Sequence, residues 1–235
     1  MTTDHRVRRI RVPTVERNRR GTRWLHGGIY VGTLLLLATG GWLWLGREGD
    51  PTLLAVITGL PDIELHKIIG LVLTAIGLVG TGYWLRRIGA FVRETFRWDR
   101  GDLHWRARWP VAVLTGRFRR HEGDFDPGQR LANLVLVGGL LILVLTGLGL
   151  IMVRGGPVFV VLHWVHLLIT FPVTAMIIGH VLIASGVLPG YRGAWRSMHL
   201  GGRLPRAVAR RLWPAWLDRQ DRDHGGAVSR RVGGR

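Results

Sequence analysis

Five histidines, His26, His66, His163, His166 and His180, lie in or at the edge of long uncharged stretches of the chain. An ionisable ring in apolar sequence is costly to place there and usually serves a function. His166 and His180 are fourteen residues apart, which on a helix is about 21 Å of rise and about four turns, so both rings leave nearly the same face. Macrocycles stacked along a bundle axis require that spacing. Each would be held by two imidazoles from facing helices with no open coordination position, which suits electron transfer rather than oxygen chemistry. One such histidine could merely hydrogen-bond across a helix interface, but five at paired depths need a further reason. His163 lies one turn before His166, and the seventeen residues from it to His180 would set those two rings about 100° apart. His166 is therefore preferred, leaving His163 to line the mouth of the site, meet a propionate or face a partner subunit. The other five histidines, among them His121 and His199, fall in charged segments where exposure is the default.

The elements that position these rings are visible as uncharged runs from Trp24 to Gly46, Ile68 to Leu85, Leu131 to Val153 and Gly155 to Tyr191. Each can cross about 30 Å of hydrocarbon at about 1.5 Å per residue. The fold class that follows is all-α, an integral-membrane four-helix bundle with helices over about 24–46, 63–85, 131–153 and 157–188. Absence of cysteine removes disulfides, thiolate metal sites, cysteine-ligated clusters and thioether-linked haem. With Lys67 as the one lysine, no phosphate-binding G-x-x-x-x-G-K-[ST] loop exists, and no strand leads into a G-x-G-x-x-G run.

A formal charge of +18 in a soluble protein would suggest nucleic acid. Here the arginines flank the apolar runs, and the positive-inside rule accounts for them. Eight precede the first run, eleven lie between Arg86 and Arg130, and eleven follow Leu188, whereas the two remaining connections hold Arg47 and Arg154 alone. Both termini and the long basic loop between the second and third helices are thus expected in the cytoplasm. With that orientation His26 is level with His180 at the inner face, and His66 with His166 at the outer face. The first helix is too long for the apolar part of a cleaved signal, and no small-residue cleavage site follows it. Glycines such as Gly32, Gly70, Gly77, Gly139 and Gly147 would let helices or a flat ring approach closely, and Pro172 should bend the fourth helix between its two histidines.

The chain divides into a basic cytoplasmic segment 1–23, a transmembrane domain 24–190 and a basic cytoplasmic or interfacial tail 191–235. Trp98, Trp105, Trp109, Trp213 and Trp216, interleaved with arginines, suit the headgroup region. The Gly- and Arg-rich stretch from His224 to Arg235 is expected to be mobile.

On Arg23-Trp24-Leu25-His26, His66, Phe125-Asp126-Pro127-Gly128-Gln129-Arg130, His166 and His180, the sequence resembles the dihaem cytochrome b subunits that anchor formate dehydrogenases. Cytochromes b of nickel-iron hydrogenases and thiosulfate reductases are relatives of these, and the resemblance spans about residues 20–190. It implies an outer b-type haem on His66 and His166, an inner one on His26 and His180, and menaquinone handled beside the inner haem near Gly128 and Gln129. Asp126 stands where the family usually has asparagine, and an aspartate there could relay protons. The implied role is an electron-transfer subunit of an oxidoreductase complex in the cell membrane. It would link an iron-sulfur subunit and a catalytic dehydrogenase or hydrogenase to the quinone pool, within a possible higher oligomer. The substrate of that complex lies outside this chain. The rival from another class is a histidine-lined proton or metal-ion transporter without haem, which gives no reason for the fourteen-residue spacing.

Overall fold

A computed structural model describes residues 12–46 and 50–232, with residues 224–232 described as backbone alone. The first part of the basic N-terminal segment, with Arg6, Arg8, Arg9 and Arg11, lies outside the described residues, as do Arg47 and Glu48 of the first connection. In chain order the elements begin with β1 (Thr14–Glu16), α1 (Arg20–Trp44), α2 (Leu53–Thr58) and α3 (Asp62–Thr95). They continue with α4 (Asp102–Thr115), α5 (Pro127–Met152), α6 (Gly156–Ala184), α7 (Arg196–His199), β2 (Arg203–Pro205), α8 (Arg206–Leu212) and α9 (Pro214–Val232).

The four expected spans are α1, α3, α5 and α6, each long and apolar enough to cross a membrane. At most 11% of any apolar window is buried within the chain, so the outward leucines, valines and isoleucines need hydrocarbon around them. α1 packs along α3 and α5 along α6, with α3 against α5 joining the two pairs. Glycines set the close approaches: Gly139 leaves the space that Val173 fills, and a Cβ at Gly80 would lie 2.7 Å from the Leu25 methyls. α6 approaches α1 and α3 far less closely than it approaches α5. The imidazoles face one another across that gap.

Helix ends differ from the uncharged runs for local reasons. α5 starts at Pro127 rather than 131 because Asp126 caps it, its side chain accepting from the Gln129 N–H at 2.8 Å, and Pro127 fits the first turn. α3 runs on to Thr95 because Arg86 and Arg87 end the apolar stretch without ending the helix. α6 stops at Ala184, earlier than the expected 188, where Ser185 is followed by Gly186 at φ +73°. The short α2, which periodicity did not reveal, is capped by Thr52, and Asp62 of α3 accepts from the Thr52 N–H and hydroxyl.

At the basic end the remaining elements form a packed cap. β1 pairs antiparallel with β2, Thr14 opposite Pro205 and Glu16 opposite Arg203. Leu204, Leu212, Leu217, Trp213, Trp216 and Tyr191 build its core around α4, α8 and α9. The tryptophans expected in the headgroup region divide accordingly: Trp105, Trp213 and Trp216 are buried in the cap, whereas Trp98 is exposed. The backbone of the C-terminal stretch expected to be mobile is helical through Val232, and residues 233–235 lie outside the described residues.

The basic loop is anchored to α5 by Arg130, whose side chain is 2% exposed. It donates to Asp102 Oδ2 at 2.9 Å, Asp99 Oδ2 at 3.1 Å, and the carbonyls of Glu122 at 2.6 Å and Arg97 at 3.2 Å. Removing one partner of such a buried pair strands the other charge without water. Arg130→Met is therefore expected to cost about 3–5 kcal/mol of stability, read as a lowered unfolding temperature in detergent. An unchanged transition would mean that water reaches Asp102.

Candidate functional site

The fourteen-residue spacing on α6 places His166 and His180 so that each meets a histidine across the bundle gap. His66 on α3 faces His166 with ring centroids 6.3 Å apart, and His26 on α1 faces His180 at 6.2 Å. All four rings are half-buried. Among the described residues no hydrogen bond joins the rings of either pair. Two imidazoles on opposite sides of one metal have centroids about 6.2–6.4 Å apart, given a metal–nitrogen bond of about 2.0–2.1 Å and about 1.1 Å from nitrogen to ring centre. Both pairs have that separation.

The pair nearer α2 also has a hydroxyl partner on each Nδ1. Thr39 Oγ1 donates its single proton to the Leu35 carbonyl at 2.9 Å and lies 2.9 Å from His66 Nδ1. Thr146 Oγ1 donates to the Ile142 carbonyl at 2.8 Å and lies 2.8 Å from His166 Nδ1. In the tautomer that leaves Nε2 free for a metal, Nδ1 carries the ring hydrogen, and each threonine accepts it while donating its own proton to the helix carbonyl. Partners of this kind on the distal nitrogen orient a metal-binding imidazole and raise its basicity. Glycine makes room for the rings: a Cβ at Gly40 would lie 2.9 Å from His66 Cε1, and one at Gly147 would lie 3.4 Å from His166 Cε1.

The pair at the basic end is built differently. His26 Nδ1 is buried and has no hydrogen-bond partner among the described residues. A third imidazole stands beside it, His199 of α7, with its centroid 6.4 Å from His26 and 6.4 Å from Tyr30. Its position in a charged segment gave no sign of this, because it depends on α7 folding back under α1. His163 is exposed on α6, stacked on Phe159 at 6.5 Å and edge-on to Trp164.

Asp126, Gly128 and Gln129 form the start of α5 beside the cap. Asp126 is buried, and burial pushes its carboxyl above the usual range, outweighing the Gln129 and Gly128 backbone hydrogen bonds and the charges of His121 and Arg130. Gln129 Oε1 accepts from Trp213 Nε1 at 3.2 Å. Arg17 lies over the Trp213 and Trp216 rings at 4.8 and 4.4 Å. Burial lowers Arg17 to about 10 despite the pull of Asp124 and Asp126, so it stays charged at neutral pH. Gly128 admits Trp105, whose ring edge would be 3.2 Å from a Cβ there. Among the described residues no hydrogen bond joins Asp126, Gly128 or Gln129 to His180. The two threonines do not stand out in the sequence, and Trp213 does so only as one of the tryptophans of the basic segments.

The donor set fits a flat macrocycle held between paired neutral imidazoles: the separations suit a shared metal, the rings near α2 offer Nε2, and glycines clear space at their edges. Thr146→Val keeps the side-chain shape but removes the acceptor. It is expected to weaken uptake of added ferric haem by the apo chain by about tenfold or more, measured by Soret titration with helix content checked by circular dichroism. Unchanged affinity would show that the hydroxyl does not hold the ring.

No curated protein matches the chain. A family model described as prokaryotic cytochrome b561 matches residues 17–201, from just before α1 to just after α7, and so takes in all four spans and both imidazole pairs. The chain is a membrane b-type cytochrome of electron transfer, and it belongs to the prokaryotic cytochrome b561 family.

Proposed function

We propose that the chain is a dihaem conduit carrying electrons between a redox enzyme on the outer side of the cell membrane and the quinone pool. The observation that carries this reading is the two imidazole pairs at metal-sharing separation, one at each end of the same helix. His66 and His166 would hold the haem near α2, with Thr39 and Thr146 fixing their ring hydrogens; His26 and His180 would hold the haem near the cap. When bound, haem b supplies a one-electron couple. Pairing on both sides leaves no coordination position for a substrate.

The arginine-rich end is assigned to the cytoplasm on the positive-inside rule, which puts the haem of His66 and His166 toward the outer partner. That partner is an iron-sulfur subunit joined to a catalytic dehydrogenase, hydrogenase or sulfur-compound oxidoreductase. Quinone, of the menaquinone type, is handled beside the haem of His26 and His180 by the Gly128–Gln129 segment, where Gln129 presents the amide nitrogen left over from its bond to Trp213. Asp126 contributes a carboxyl whose burial favours the protonated form, suited to exchange a proton with the quinone from the cytoplasmic side. Electron and proton then reach quinone from opposite sides of the membrane. Moving one charge against 100 mV involves about 2.3 kcal/mol.

A reduced-minus-oxidised difference spectrum with haem quantified per chain is expected to give two b-type haems; a colourless, folded preparation would reject the reading. His180→Ala should lose the haem beside the cap and all quinone reduction, while the haem near α2 stays partly occupied. Gln129→Leu should keep both haems and slow quinone reduction by tenfold or more, an order taken from the loss of one polar contact in a reacting site. Wild-type turnover in that variant would place the quinone elsewhere.

A further inference from the structure

Topology requires arginines at the basic end but not that they converge. Five of them, Arg17, Arg19, Arg87, Arg203 and Arg206, line one open cavity of about 780 Å³, drawn from the chain around β1, the start of α1, α3, β2 and α8. The carboxylates on its wall are Glu16 and Asp221. Arg206 is bound to Asp221 through both carboxylate oxygens at 2.7 and 2.5 Å, and Arg17 is committed to the Asp124 carbonyl at 2.6 Å and to the tryptophan faces. Arg203 donates from Nε to the neutral Thr14 hydroxyl at 3.2 Å. Among the described residues Arg19, Arg87 and Arg203 pair with no carboxylate, and Arg19 and Arg87 are exposed. The cavity therefore holds three uncompensated guanidinium groups suited to bidentate contacts with phosphate oxygens.

A second cavity of about 530 Å³ continues the first, sharing Arg19, Thr22 and Arg87 with it. Its remaining wall passes over Gly21, Gly82, Tyr83, Trp84 and Leu85, at the end of the apolar run of α3, with Arg86 at the boundary between that run and the basic end. Tyr83 is 78% and Leu85 67% exposed, so this groove opens onto the hydrocarbon-facing surface. A soluble anion would have no use for it, whereas a molecule with a phosphate at one end and acyl chains at the other fills both. Arg87 stands two residues after the uncharged run of α3 and Arg19 five residues before that of α1, the depth of a phospholipid headgroup.

We propose that the arginine-lined cavity and its adjoining groove form a binding site for an anionic phospholipid, phosphodiester among Arg19, Arg87 and Arg203, acyl chains over Tyr83 and Leu85. The test is a native mass-spectrometric titration of the full chain in detergent with palmitoyl-oleoyl phosphatidylglycerol and, in parallel, palmitoyl-oleoyl phosphatidylcholine. Phosphatidylglycerol is expected to bind about tenfold tighter or more, and R19Q/R87Q to weaken it by roughly thirtyfold, two surface arginines being removed. The control R100Q/R119Q, with the same loss of charge at the same end but outside the cavity, should change binding by less than about threefold. Equal binding of the two lipids by the unaltered chain, or equal loss in both double variants, would overturn the site. Displacement of phosphatidylglycerol by inorganic phosphate at matching concentration would overturn the lipid assignment in favour of a soluble anion.

Discussion

A neutral imidazole has one ring hydrogen, and in a bundle surrounded by hydrocarbon that hydrogen needs an acceptor before the other nitrogen can be committed elsewhere. On α3 and α6 the acceptor is a threonine whose own proton is already spent on its helix. A ring committed to a metal through Nε2 donates to that hydroxyl through Nδ1. Helix packing follows from this constraint as much as it produces it: α1 must lie against α3 for Thr39 to reach His66, and α5 against α6 for Thr146 to reach His166. Those are the two closely packed helix pairs. The looser boundary, between α6 and the α1–α3 pair, is where the rings look at one another.

The two ends of the bundle solve the same problem unequally. Near α2 both rings are held through Nδ1 by side chains of neighbouring helices. Near the cap His26 has no such acceptor, and His199 and Tyr30 crowd around it. The cap itself is a small soluble-type core of leucine and tryptophan bound to the bundle through Arg130 and through the chain of contacts from Arg17 to Trp213 to Gln129. It ties the loop before α5 to α9 at the end of the chain, so the surroundings of the ring pair at this end depend on segments far apart in sequence.

The spans and the four facing histidines were legible because they depend on helical periodicity and on the absence of charge, both local properties of sequence. His166 was preferred to His163 on helix geometry alone; His163 stands exposed beside Phe159. Thr39 and Thr146 were not legible: a threonine in an apolar helix normally bonds back to the carbonyl four residues earlier, and these do, so only the tertiary placement reveals the second role. His199 was hidden for the complementary reason, since a charged neighbourhood says nothing about where a short helix folds back. Trp105, Trp213 and Trp216 carried a lipid-surface composition, yet Trp213 and Trp216 are buried in the leucine cluster of the cap and Trp105 stacks on Phe118 at its edge.

Because His166 and His180 belong to one helix, α6 works as a ruler shared by both ring pairs. A single residue gained or lost between them would swing one imidazole through about 100° relative to the other, parting one couple while sparing its counterpart. Pro172, inside that interval, already lacks an amide hydrogen for the ladder, so the stretch most sensitive to register is also where the backbone is least braced. The burden of keeping phase there falls on the flanking contacts: Val173 seated in the notch of Gly139, and the Thr170 and Thr174 hydroxyls bonded back to the carbonyls one turn earlier.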